Sequence, residues 1–200
     1  MIVGDFEPAA RLKACLDSIK EYVDEINIQF NYKGFKKPWR LKKLMKVLPS
    51  YPKVETQYSP WVDFSTNRNQ SLAMASKDFV LILDADDVVK TPYLIKDYIL
   101  KYPEADYFKC QVHSFTEVKG KELILQNRLF KNRKGYKYVN NVHEDISFSM
   151  MDNKAKMQVA GIQINHYGNL SIVDLARKNL RNLALVREDM KKPTRHSLTY

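Results

Sequence analysis

The chain has 200 residues, 44% of them hydrophobic, which suits one compact domain with a full core and leaves little length for a second. Lys and Arg total 33 against 23 Asp and Glu, a formal charge of +10 with a pI near 9.4, so anionic partners are favoured: nucleotide diphosphates, nucleic acid, acidic glycans or anionic membranes. Cys15 and Cys110 match no metal or redox spacing, no apolar run approaches the roughly 18 residues that span a bilayer, and the N-terminus lacks the basic-then-apolar order of a secretory signal, so the expected setting is cytoplasmic.

Met1 to Val3 reads as a short strand, and after Pro8 the residues Leu12, Cys15, Leu16, Ile19 and Val23 recur at helical spacing. Ile26, Ile28 and Phe30 alternate as in a half-buried strand. Leu41, Leu44, Met45 and Leu48 predict a second helix ended by Pro49. Val54 and Thr56 fall in a third strand, and Ser65 is the expected N-cap of a helix running through Leu72 to Ala75. Phe79 to Leu83 is a continuous apolar run that predicts a central strand buried on both faces, ending in Asp84-Ala85-Asp86-Asp87. Thr91-Pro92 opens a helix through Leu100. Strands and helices thus alternate as in an open, mainly parallel sheet. Tyr107 to Ser114, Leu123 to Gln126 and Tyr138 to Val142 then read as strands of a mixed portion, and a helix runs from Ser171 to about Asp189.

Ligands of open α/β sheets bind beyond the carboxyl ends of the strands, which makes the acidic cluster the first candidate site. Asp84 and Asp86 offer hard oxygens to Mg²⁺ or Mn²⁺ shared with phosphate oxygens. The same residues also serve as strand-ending and turn-capping Asp, so both readings stand on the residues alone.

Several segments in order carry a resemblance. Cys15-Leu16-Asp17-Ser18-Ile19, Asp63-Phe64-Ser65, Arg68-Asn69-Gln70-Ser71-Leu72 and Phe79 through Asp87 resemble the first half of a family-two glycosyltransferase of the GT-A fold. Asn127-Arg128-Leu129-Phe130, Val142-His143-Glu144 and Asn165-His166-Tyr167-Gly168 resemble a bacterial and phage subgroup, so the likeness covers nearly the whole chain. It implies the nucleotide-diphospho-sugar transferase fold, a Rossmann-like, mainly parallel sheet with a mixed C-terminal portion and a terminal helix. Residues 1–200 form one domain on this view, with a nucleotide-binding half (1–100), an acceptor-side half (101–170) and a C-terminal helix and tail (171–200).

The resemblance also implies roles. Asp84, Asp86 and His166 are the expected cation ligands, with Mn²⁺ favoured over Mg²⁺ by the imidazole. Glu7, Asn31, Asp63, Arg68, Asn69, Asp84 and Ala85 are the expected donor contacts. Glu144 is the expected catalytic base with Asp145 as substitute, and His143 lies on the acceptor side. The implied reaction is an inverting, cation-dependent transfer from a nucleotide sugar, a UDP-sugar on family frequency, to a glycan, lipid-linked or protein acceptor; nucleic acid is not an expected partner. One stretch departs from the pattern: Asn31-Tyr32-Lys33-Gly34-Phe35-Lys36-Lys37-Pro38 lacks the usual acidic contact to the base, leaving the base open, and only the Asn31 amide remains there. The basic segment Lys33 to Lys46 reads as an amphipathic, sheet-packing helix or as a contact with an anionic membrane or a polyanionic acceptor. Two further classes stay open: a non-catalytic module holding a glycan or polyanion on the same scaffold, and a nucleotidyltransferase, which would want a Gly-rich phosphate loop that is missing.

Overall fold

The computed structural model describes residues 1–4, 7–32, 44–46, 48–51, 53–116, 120–141 and 143–168, with positions 180, 182, 183, 185–187, 190 and 191. β1 (Ile2–Gly4) leads into α1 (Ala9–Ile19), which starts at Pro8 and buries Leu12, Cys15, Leu16 and Ile19 along one stripe. β2 (Ile26–Tyr32) and β3 (Val54–Pro60) join β1 in a parallel sheet of order β1-β2-β3. Ile26, Ile28 and Phe30 are buried as their alternation predicts. Gln29 and Asn31, on the other face of β2, are buried too, so this strand is covered on both sides.

α2 (Phe64–Ala73) has an unusual inward face: its buried residues are Asn67, Arg68 and Ser71. Such a helix is held by hydrogen bonds rather than by an apolar stripe, and it carries polar groups into the interior. Its cap is Asp63, whose Oδ1 accepts the Thr66 N–H at 2.7 Å. The expected cap, Ser65, instead donates its hydroxyl to Asp63 Oδ1 at 2.9 Å. Asp63 has the extended backbone (φ −150°, ψ 174°) that an N-cap requires, whereas Ser65 is already inside the helix.

β4 (Phe79–Leu81), β5 (Asp87–Val89), α3 (Leu94–Lys101), β6 (Tyr107–Thr116), β7 (Gly120–Lys131), α4 (Ser147–Asp152) and β8 (Met157–His166) complete the fold. The five strands form a second sheet of order β4-β7-β6-β8-β5, in which β6 and β8 are parallel and the other pairs antiparallel. The architecture is α/β, with a parallel sheet followed by a mixed one. Among the described residues parallel pairing is confined to the first sheet and to β6–β8, a smaller share than the alternating pattern predicts.

Three local expectations change. The run 79–83 is a strand only to Leu81 and pairs with β7 alone among the described residues, although Ile82 and Leu83 remain buried and Ile82 N–H still reaches Arg128 O at 2.7 Å. Of the strand expected at 138–142, residues 138–141 make none and 142 lies outside the described set: Asn140 at φ 72° turns the chain, and Val139 and Asp145 exchange a single pair of bonds. Pro49 lies inside a 3₁₀ turn, Leu48–Ser50, a few residues past the helical Leu44 and Met45. Of the predicted second helix only Leu44 and Met45 are described as helical, and residues 33–43 lie outside the described set. Most of the predicted 171–189 helix does as well, while 180, 182, 183 and 185–187 are helical.

One apolar cluster joins α1, β2, β6 and β8 through Leu16, Phe30, Phe108 and Ile162; a second, with Val80, Phe130, Tyr138 and Met150, lies under α4. α3 comes so close to β8 that a methyl on Gly161 would lie 3.1 Å from the Tyr98 hydroxyl. These packings bring the ends of β4, β5 and β8 together.

Candidate active site

The turn after β4 is closed twice. Asp87 N–H donates to Asp84 O at 3.1 Å, and Asp84 N–H donates to Asp87 Oδ2 at 2.7 Å. Asp87 is thereby pulled fully inside, whereas the Asp84 and Asp86 side chains keep 25% and 18% of their surface exposed. In the antiparallel pair of β5 with β8, Asp87 stands opposite His166, and the His166 Nδ1 lies 2.9 Å from Asp87 Oδ1 and 3.5 Å from Asp86 Oδ1.

Opposite charges alternate across the site. Arg68, from α2, donates from Nε to Glu144 Oε1 at 2.6 Å and from Nη2 to Asp84 Oδ1 at 2.7 Å. Arg128, from β7, donates from Nη2 to Asp84 Oδ2 at 3.2 Å and lies 3.4 Å from Asp87 Oδ2 through Nη1. Both guanidinia are nearly buried, and such charges persist only when paired and hydrogen-bonded. Burial pushes the Asp84 carboxyl upward, but Arg68 and Arg128 outweigh it and hold it well below the usual carboxylate range. Asp86 lacks that help: burial raises it, only partly offset by His166. His166 is raised by its bond to Asp87, against the opposing effect of burial. Burial, then the Asp86 charge, pushes Glu7 up to about 7. Glu7 therefore faces the same cluster, with its Oε1 inaccessible and the Arg11 guanidinium 4.0 Å away.

Beside these groups opens a cleft of about 510 Å³, bounded by Arg68, Asp84, Tyr138, Glu144, Ser147 and His166 and, on its far wall, by the β6–β7 ladder. Asp84, Asp87 and His166 bring ligand atoms within 4.8 Å of one another. Asp84 and Asp87 both have their two oxygens engaged by internal partners, but Asp87 is also fully buried, which makes it the least suited of the three to hold an ion. Asp86 fits better. A methyl on Gly168 would lie 2.8 Å from His166 Nε2 and 3.8 Å from Asp86 Oδ2, so the bare glycine leaves a space onto which both atoms open. Four carboxylates, Asp84, Asp86, Asp87 and Glu144, meet two guanidinia, so with a neutral imidazole two negative charges are uncompensated. The residues present fit a divalent cation held by Asp86 and His166, with Asp84 adjacent.

Of the residues singled out in the sequence, the structure brings together Glu7, Arg68, Asp84, Asp86, Glu144 and His166. Ala85 is buried in the turn between the two carboxylates. The others are engaged elsewhere. Both Asp63 oxygens cap α2, with Oδ2 accepting from Thr66 Oγ1 at 2.8 Å. The Asn69 amide clamps Tyr138, donating to its carbonyl and accepting its N–H, both at 2.9 Å. Asn31 is buried and donates to Ser59 Oγ at 3.0 Å. Asp145 lines the cleft but accepts the Ser147 N–H at 2.7 Å. His143 is exposed, at φ 54°. Sequence reasoning missed Arg128 and the inward role of Asp87. An arginine directly before Leu129 and Phe130 in a strand is the available signal, since a charge at the buried end of a strand needs a buried partner.

Residues 6–159 match the family model described as Glycosyl transferase family 2. A TPR repeat-containing protein of Synechococcus elongatus is 28% identical over 153 residues, which cover 76% of this chain and 35% of that protein, so the chain spans about a third of its relative. Among solved structures, S. aureus TarS 1–349 superposes with a TM-score of 0.58 at 16% identity, over 83% of this chain and 59% of that one. The mannosyltransferase PcManGT of Pyrobaculum calidifontis, solved with GDP-Man and Mn²⁺, gives 0.59 at 11% identity, over 96% and 64%. TarS 1–349 with UDP-GlcNAc gives 0.53 at 16%, over 85% and 58%. At these identities the structural likeness is one of fold.

Proposed function

Because the chain belongs to glycosyl transferase family 2, we propose that it transfers a sugar from a nucleotide-sugar donor to an acceptor hydroxyl at the cleft beside Asp84. The carrying observation is the convergence there of Arg68, Asp84, Glu144 and His166, delivered by α2, the end of β4, the loop before α4 and the end of β8.

Asp86 and His166, with Asp84 beside them, would hold a divalent cation, whose positive charge would stabilise the departing diphosphate. Imidazole favours Mn²⁺ over Mg²⁺. Arg68 holds Asp84 and Glu144 in fixed relation and offers positive charge to the donor phosphates. Glu144 is the proposed base: it lines the cleft, and the bond from Arg68 fixes its carboxylate there, where it would take the proton of an acceptor hydroxyl. Asp145 serves less well because one of its oxygens is tied to the start of α4. Bonding of the acceptor oxygen to the anomeric carbon on the side away from the diphosphate, as the bond to the diphosphate breaks and the hydroxyl proton passes to Glu144, would give inversion. His143, exposed beside Glu144, belongs to the acceptor side.

For the donor we favour a UDP-sugar, in keeping with the UDP and UDP-GlcNAc complexes of TarS, while PcManGT carries GDP-Man. A glycan, a lipid-linked sugar or a protein is the acceptor, the first half of the chain serves the nucleotide and the second the acceptor, and a cytoplasmic location completes the proposal. Calorimetric binding of UDP and GDP with and without Mn²⁺ tests it. Mn²⁺-dependent binding that Asp86→Ala abolishes is expected. Salt-sensitive polyanion binding without such dependence would favour a non-catalytic module instead.

A further inference from the structure

We propose that Arg128 is a positioning residue of the transfer site, which fixes the His166 ring through Asp87 and the cleft-facing carboxylate through Asp84. The inference rests on the cation-assisted reading of the same cleft. Arg128 lies on β7, away from the acidic turn in sequence, and each of its three nitrogens has a partner. Nε donates to Gln126 Oε1 at 2.9 Å, Nη1 donates to Ile82 O at 3.3 Å and faces Asp87 Oδ2, and Nη2 donates to Asp84 Oδ2. A planar fork can satisfy two carboxylates and a carbonyl together, whereas an ammonium offers one point of charge.

The consequence passes through Asp87. Its Oδ2 is taken by Arg128 and by the Asp84 N–H, so Oδ1 is left for the His166 ring. A carboxylate can only accept, which assigns the ring proton to Nδ1 and leaves the lone pair on Nε2. Nε2 is the nitrogen that opens beside Asp86 Oδ2 at Gly168. Arg128 thus sets which imidazole nitrogen is presented, from the far side of two residues. Partners of this kind behind a ligating histidine typically change cation affinity by 10- to 100-fold. A purely structural arginine would alter stability and leave the ring tautomer alone.

The test compares the full chain with Arg128→Lys and Arg128→Gln. Nitrogen-15 histidine spectra, taken at a pH where the imidazole is neutral, report which His166 nitrogen bears the proton. Calorimetry with MnCl₂ in the presence of UDP reports cation affinity. Wild type should show the Nδ1–H form. Arg128→Gln should show mixed tautomers and Mn²⁺ binding weaker by about tenfold or more, and Arg128→Lys should fall between. If the Gln variant does not fold, the Lys variant carries both readouts. Wild-type tautomer and wild-type Mn²⁺ affinity in the folded variants would overturn the role given to Arg128. A wild-type protein that binds no Mn²⁺ with UDP would overturn the cation reading instead, and the tautomer comparison would still decide whether Arg128 governs His166.

Discussion

Glu7→Gln separates the electrostatics of the site from its geometry. The amide keeps the shape of the side chain and removes the charge that burial and Asp86 oppose. In the folded chain the Glu7 carboxyl titrates at about 7 rather than at its ordinary 4.5. Each tenfold in that equilibrium is worth about 1.4 kcal/mol, so ionised Glu7 costs the fold on the order of 3 kcal/mol, an upper figure because the side chain is 24% exposed. The sign follows from proton uptake. Between pH 4.5 and about 7 the native state keeps a proton that the unfolded chain has released. The stabilisation is therefore complete below 4.5 and is lost as pH rises through 7. Thermal melts of wild type and Glu7→Gln in a chelating buffer should nearly coincide at the acid end and diverge toward alkaline pH, with the variant melting higher by about 6 to 12 °C, since 1 kcal/mol moves a chain of this size by roughly 2 to 4 °C. Adding Mn²⁺ should shrink the gap by countering the Asp86 charge. Parallel curves across the whole range would refute the placement of Glu7 against the acidic cluster.

Gly168→Ala should weaken Mn²⁺ binding by about tenfold, read by calorimetry, because the methyl covers His166 Nε2 at 2.8 Å; unchanged affinity would mean that this nitrogen holds no ion. Glu144→Gln can keep its bond to Arg68 through the amide oxygen, so UDP affinity should persist while turnover falls by about 10² to 10⁴. A variant that turns over normally would remove Glu144 as the base. Asp63→Ala should lower unfolding free energy by about 1 kcal/mol in denaturant titrations and leave UDP affinity unchanged, since both oxygens serve the α2 cap. A loss of nucleotide affinity in a folded Asp63 variant would restore the donor contact expected from the sequence.

The sequence made parts of this molecule plain because single residues obey local rules. Leu12, Cys15, Leu16 and Ile19 can share only one helix face, and Ile26, Ile28 and Phe30 only one strand face. Asp84 and Asp86 stand out by position, at the end of an apolar run where ligands of α/β sheets bind, although a turn-capping role fits the residues alone as well. β8 escaped notice although Ala160, Ile162 and Ile164 alternate, since the small Ala160 and Gly161 give the run a weak strand signal at its centre. The strand expected at 138–142 failed on Asn140, whose left-handed backbone no alternation rule registers. α2 gave no apolar signal because its buried face is polar, and the Asn69 clamp is visible only once Tyr138 is brought beside it. The pairing of Arg128 with Asp84 spans 44 positions and depends on β7 lying beside β4, which is a fact of topology rather than of spacing.

The β5–β8 pairing has a consequence for biosynthesis. β5 is made early, yet its ladder partner is the last described strand, and Asp87 and His166 are 79 positions apart. While a ribosome is still delivering the intervening segment, β5 has no edge to dock on and the buried Asp87 carboxylate lacks its imidazole. Closing so long a loop is entropically slow. The nascent chain should therefore gain the β1–β3 sheet first, and the Asp87–His166 pair should form only once β8 slides in beside β6, so the site is assembled after the sheet that precedes it.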